Sequence, residues 1–205
     1  MTIDAHAHEE HPTSTGLDSR KVAMWAFLGS ETMFFGSLIL VMLINKHNTL
    51  GVMLGHGDHT FEAGQGMLDL VLTSFTTFVL LTSSLAMVLA LAAFRNRSLN
   101  WGRFWLMAVV ALGAIFLGGQ VYEFTAFVRE GLTPSTNLFG ASFYMLVGFH
   151  GAHVAIGILW LLAVVYYSYR GRYQTADTWG VEMVGLYWHF VDLVWVAIFT
   201  LIYLI

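Results

Sequence analysis

Six ionisable side chains stand in stretches of sequence that are otherwise apolar: Glu31, Glu123, His150, His153, His189 and Asp192. A charged group at the centre of a bilayer costs roughly 2.5–3.5 kcal/mol on insertion scales, so each needs a reason to be there. No Lys or Arg lies within the same stretches to pair with them. His150 and His153 are three residues apart, as are His189 and Asp192, and residues three apart share a helix face. Two such faces could converge on a metal ion or a haem, with Asp192 orienting a ligating imidazole. The plainer use is interhelical hydrogen bonding that fixes packing, worth about 0.6 kcal/mol per bond. The small residues Gly148, Gly151, Ala152 and Ala155 suit a haem ring and a close helix equally well. Glu31 has Phe27, Leu28, Phe34 and Phe35 within one turn, a setting that favours the neutral acid. Its two readings are a proton carrier and a protonated carboxyl hydrogen-bonded to another helix.

The elements that must hold these residues follow from composition. The chain has 205 residues, 57% hydrophobic and only 11% charged, where soluble domains carry about 25% charged residues. Its mean hydropathy is +0.68. A disordered chain, a nucleic-acid binder and an ordinary soluble globule are excluded. There is no cysteine, hence no disulfide, thiolate metal site or Cys nucleophile, and proline occurs only at Pro12 and Pro134. The fold class is therefore all-α: a polytopic membrane bundle of five transmembrane helices. The spans are about Val22–Ile44, Leu68–Phe94, Phe104–Val128, Leu138–Tyr169 and Val181–Ile205. Residues 1–21 form a polar, His-containing leader, and 22–205 form the membrane domain. The first span reads as retained, not as a signal peptide. His6, His8 and His11 in the leader, and His56 and His59 in the loop Asn45–Met67, read as solvated. The stripe Trp188, Trp195, Phe199 and Tyr203 reads as core or lipid-facing, and Gly118-Gly119 as a packing site. No phosphate loop, nucleotide fingerprint or nucleophile elbow is present.

Basic residues set the orientation. Arg20, Lys21, Arg95, Arg97, Arg103, Arg170 and Arg172 fall on one side of the five spans, and only Lys46 and Arg129 on the other. The N-terminus is expected in the cytoplasm and the C-terminus outside.

Four blocks then resemble one family, subunit III of the haem–copper oxidases. Tyr187-Trp188-His189-Phe190-Val191-Asp192-Leu193-Val194-Trp195 is similar to its final helix. Phe149-His150-Gly151-Ala152-His153-Val154 is similar to the helix before. Ser30-Glu31-Thr32-Met33-Phe34-Phe35 resembles its first shared helix, and Gln120-Val121-Tyr122-Glu123-Phe124 a further segment. The second span carries no diagnostic motif. The match is to the shorter, five-helix bacterial form. The longer form has two further N-terminal helices that close a lipid-filled cleft, and that feature transfers only if another subunit supplies them.

The resemblance implies a non-redox accessory subunit of a respiratory cytochrome c oxidase in the bacterial plasma membrane. Such a subunit has no catalytic or metal-ligating residue of its own. Haem and copper would belong to partner subunits I and II, and cytochrome c would be met only through the complex. The subunit would stabilise the catalytic subunit, bind phospholipid and support proton uptake. Glu31 and Glu123 would be the lipid- or proton-related carboxyls, and His150, His153, His189 and Asp192 interhelical or lipid contacts. The nearest alternative is a quinol oxidase, with a nitric oxide reductase further off. Alternatives of another class are a free-standing b-type cytochrome and a small proton-coupled transporter resting on Glu31 and Glu123.

The charge asymmetry makes a direct prediction. Single cysteines placed in the loop Asn45–Met67 of this cysteine-free chain should react with an impermeant maleimide on intact cells, and cysteines at residues 95–103 or 170–180 only after permeabilisation. The reverse pattern would invert the topology.

Overall fold

In a computed structural model the described residues are 19–55, 70–129, 138–171 and 178–204, and they are helical apart from short turns. The helices are α1 (Ser19–Gly55), α2 (Leu70–Arg95), α3 (Leu99–Arg129), α4 (Leu138–Tyr169) and α5 (Trp179–Phe199). A π-helical turn, Thr200–Leu204, extends α5. All five helices are long and apolar enough to cross a membrane. None contains proline, and in a bilayer each helix satisfies its own backbone groups.

Helix boundaries differ from the hydropathy reading by a few residues at several ends, α1 beginning at Ser19 and α2 at Leu70. α1 remains helical to Gly55, through the start of the expected loop, because polar Lys46–Asn48 lowers hydropathy without breaking a helix. α3 begins at Leu99 and not at Phe104. Asn100 and Arg103 end the apolar run, yet both are compatible with helix. α5 begins at Trp179. The leader, with His6, His8 and His11, lies outside the described residues, as do His56, His59 and Arg172.

α2 and α3 form a tight antiparallel hairpin, the most extensive contact in the bundle. Their link turns at Arg97, which takes a left-handed φ of 58°. Ser98 N–H donates to Ala93 O (2.9 Å) and Arg97 N–H to Phe94 O (3.0 Å), a Schellman-type helix end. α5 is the most buried helix and packs on α1, α2 and α4. α1 is peripheral. It buries a narrow stripe, Met24, Leu28, Phe35 and Met42, against α4 and α5.

The basic ends of the helices lie together. Glu182, in the first turn of α5, accepts a hydrogen bond from Lys21 Nζ on α1 (3.3 Å) and lies 3.6 Å from Arg95 of α2. Arg103 of α3 donates to Ser168 O (2.7 Å) and Ser168 Oγ (3.0 Å) near the end of α4. Residues that the sequence assigns to one side of the membrane thus meet at one end of the bundle.

Trp188 and Trp195 lie in the core, each about 1% exposed, which settles the aromatic stripe of α5 as core at these two positions. Trp188 is seated between glycines. A β-carbon at Gly113 of α3 would lie 2.6 Å from its ring, and one at Gly157 of α4 would lie 3.0 Å away. Gly119 is likewise pressed by Thr76, 2.6 Å from its β-carbon position, whereas Gly118 faces open space. Gly113→Ala should therefore destabilise the detergent-solubilised protein by ~1–3 kcal/mol, as overpacking does. Gly29→Ala, with nothing within 4 Å, should be neutral or slightly stabilising through helix propensity. Equal melting temperatures for the two variants would contradict this packing.

Candidate functional site

The six intramembrane ionisable residues do not form one constellation. They divide among separate interhelical contacts, and among the described residues no group of three His, Asp or Glu side chains is placed to hold a metal ion.

Glu31 and His153 meet between α1 and α4. Glu31 Oε2 lies 3.3 Å from His153 Nε2. On its other side, His153 Nδ1 is 2.7 Å from the Phe149 carbonyl. A carbonyl only accepts, so Nδ1 points its hydrogen at Phe149 O, and Nε2 faces the Glu31 carboxyl. The ring packs edge-on against Phe35 at 4.9 Å, and the His153 carbonyl accepts from Tyr187 Oη of α5 at 3.0 Å. Glu31 therefore has the interhelical partner that its own helix lacks. The pair ends at a backbone carbonyl, which cannot pass a proton onward.

His150, on the same helix face in the sequence reading, points elsewhere. It is fully buried, stacked on Trp195 at 4.9 Å and flanked by Phe116 and Phe35. Neither ring nitrogen has a hydrogen-bond partner among the described residues. His189 is half-buried, one turn from Asp192 on α5.

Asp192 and Glu123 face α2. Ser84 Oγ donates to Asp192 Oδ2 at 2.6 Å. Glu123 Oε1 accepts from Thr73 Oγ1 at 2.9 Å and from Tyr203 Oη at 3.0 Å. The same side of α2 receives both tryptophans: Trp188 Nε1 donates to Ser83 Oγ and Trp195 Nε1 to Thr77 Oγ1, each at 2.9 Å. Ser83 and Thr77 in turn donate to the carbonyls of Leu80 and Thr73. A row of α2 hydroxyls thus pairs with Glu123 of α3 and with Trp188, Asp192 and Trp195 of α5. These hydroxyls are the residues that sequence reasoning missed. The available signal was the density of Ser and Thr in a span without a motif, Thr73 to Ser84. Gln120 was also missed as an individual contact. Its Nε2 donates to Val147 O at 2.8 Å, and Gly151 leaves room for its side chain, since a β-carbon there would sit 2.9 Å from Oε1.

Chemically, these contacts are those of a packed, hydrogen-bonded membrane bundle. The Glu31–His153 contact generates a prediction. Glu31→Gln keeps an N–H donor for Nε2, so stability should change little. Glu31→Ala leaves Nε2 unpaired and should cost ~0.6–1.7 kcal/mol, the range for interhelical hydrogen bonds in membranes. In His153→Ala the further cost of Glu31→Ala should fall away. Additive costs in that double-mutant cycle would mean the two side chains do not interact.

Comparison with known proteins gives a consistent result. A family model described as cytochrome c oxidase subunit III matches residues 2–205. A protein named "Probable quinol oxidase subunit 3" from Staphylococcus haemolyticus (strain JCSC1435) is 34% identical over 204 residues, covering 100% of this chain and 94% of the relative. Proteins of the same name from Staphylococcus epidermidis and Staphylococcus aureus are 33% and 32% identical over the same coverage. The four sequence blocks, five membrane-spanning helices and a family match over the whole chain lead to one conclusion: this chain belongs to the cytochrome c oxidase subunit III family of the haem–copper oxidases.

Proposed function

We propose that this chain is the accessory third subunit of a bacterial haem–copper oxidase whose electron donor is a quinol. One observation carries the choice of donor: relatives aligned over the full chain bear the name of a quinol oxidase subunit. This favours the alternative over the cytochrome c oxidase expected from the sequence motifs. Cytochrome c remains the second reading, because the family description names it.

In this reading the haem and copper centres belong to partner subunits, and the chain contributes none. It packs against the catalytic subunit in the plasma membrane, holds phospholipid and supports proton uptake. The peripheral position of α1, with large apolar side chains such as Met33, Leu40 and Ile44 turned outward, supports a role in lateral assembly. The Glu31–His153 contact supports a structural role for Glu31, since the far side of the imidazole faces the Phe149 backbone carbonyl.

The complex retrieved by a tag on this chain should contain the catalytic subunit and consume oxygen with a reduced quinol, leaving reduced cytochrome c unoxidised. Oxidation of cytochrome c alone would reinstate the second reading. The separated chain should show Trp and Tyr absorbance without a Soret band. A haem lost on replacing His150 or His189 would revive the b-type cytochrome. In the intact complex, Glu31→Gln should leave proton uptake and sustained turnover near normal. Normal assembly with slowed uptake would make Glu31 a proton carrier.

A further inference from the structure

At the basic end of the bundle, a groove of about 390 Å³ opens between the start of α3 and the end of α4. It is lined by Asn100, Arg103, Phe104, Met107 and Tyr169. Its polarity is graded along the helix axis. Asn100 and Arg103 stand at the end nearest the helix terminus, and Phe104 and Met107 continue toward the middle of the membrane. From Asn100 to Met107 the groove runs about 10 Å along α3.

Arg103 is held in place rather than free to wander. It donates twice to Ser168, and its guanidinium carbon sits 4.6 Å from the centre of the Tyr169 ring. Those two bonds engage only part of its five-donor fork. The described acids lie elsewhere: Glu182 beside Lys21 and Arg95, Glu31 beside His153, Glu123 with Thr73 and Tyr203, and Asp192 with Ser84. Arg103 thus has no acidic partner among the described residues. The exposed rings of Trp101, Tyr166 and Tyr169 mark this level as the membrane–water boundary, where such residues collect.

A fixed cation at headgroup depth, above an apolar channel that runs along the membrane normal, matches a molecule with an anionic head and a hydrocarbon tail. We infer that the groove between α3 and α4 is a site for one anionic phospholipid, its phosphate on Arg103 and the start of an acyl chain along Phe104 and Met107. The inference rests on the proposal that the chain works as a phospholipid-holding oxidase subunit, and it names one place and one headgroup charge. A neutral lipid gains the same apolar contact but no net charge attraction at Arg103. A free anion gains the charge without the channel. An acidic segment of a partner subunit would fill the groove from outside.

The test uses the intact complex, tagged on this chain, stripped of loosely held lipid and titrated with dioleoyl phosphatidylglycerol or dioleoyl phosphatidylcholine. Native mass spectrometry counts the bound molecules. Phosphatidylglycerol should bind more tightly than phosphatidylcholine. Arg103→Gln should weaken phosphatidylglycerol by about fivefold, the effect of one basic side chain facing an anionic headgroup. That change also removes the Ser168 bonds, so Met107→Trp serves as the second variant. It fills the apolar end, leaves Arg103 in place, and should also displace the phosphatidylglycerol.

Equal binding of the two lipids, or phosphatidylglycerol binding unchanged in both variants, would overturn the site. So would its displacement by millimolar inorganic phosphate, which would mark a simple anion site. Cross-linking of Asn100→Cys to another subunit would also overturn it, by showing that protein covers the groove. Retrieval of the catalytic subunit is scored separately on the same sample. A missing partner would count against the proposed function, and a missing lipid against this site.

Discussion

Within the hydrocarbon core there is no water to receive a polar atom, so whatever polarity the sequence carries there must be matched inside the bundle. The hydroxyl row of α2 meets a large part of that demand, whereas both ring nitrogens of His150 and Asp192 Oδ1 are without a partner among the described residues. Thr73, Thr77, Ser83 and Ser84 pair with Glu123, Trp195, Trp188 and Asp192. Each partner comes from α3 or α5, so the row fixes the height of those helices against α2. A shift of α5 by one turn would leave two indole N–H groups and a carboxyl facing hydrocarbon. The register of the most buried helix is therefore set by polar contacts, and the apolar contacts fill in around them.

Size complementarity works alongside that register. The hydrophobic effect does not draw helices together in lipid, so close packing has to supply the attraction. One of the two largest fully buried side chains, Trp188, is placed where α3 and α4 offer glycine on either side. Its indole nitrogen still reaches Ser83 on α2. One residue of α5 is thereby in contact with three other helices, and loss of either glycine would push on all of them.

The number of spans and their approximate limits are legible in the sequence because hydropathy over about 20 residues is a strong signal. The family was legible because blocks such as Phe149–Val154 and Tyr187–Trp195 are specific in order and content. The core position of Trp188 and Trp195 was only half legible, since an aromatic stripe reads the same whether it meets lipid or protein. Pairings were not legible at all. Glu31 reads as isolated on its own helix, because its partner His153 lies on another. His150 and His153 are three residues apart, yet one faces Trp195 and the other Glu31. Helical spacing places two side chains on adjoining parts of a cylinder, and the neighbouring helices decide what each one meets. The extension of α1 to Gly55 was hidden for a different reason: hydropathy reports where the membrane ends, not where the helix does.

α1 rests on α4 and α5, which are made after α2 and α3. Lys21 and Glu182 are separated by 161 positions. At the usual pace of bacterial and eukaryotic synthesis, roughly 5–20 residues per second, about ten to thirty seconds pass between the emergence of the two. Until α4 has emerged, α1 lacks its main described contacts, and Glu31 lacks the imidazole of His153. α1 is accordingly seated late, and biogenesis must shelter its carboxyl until α4 arrives.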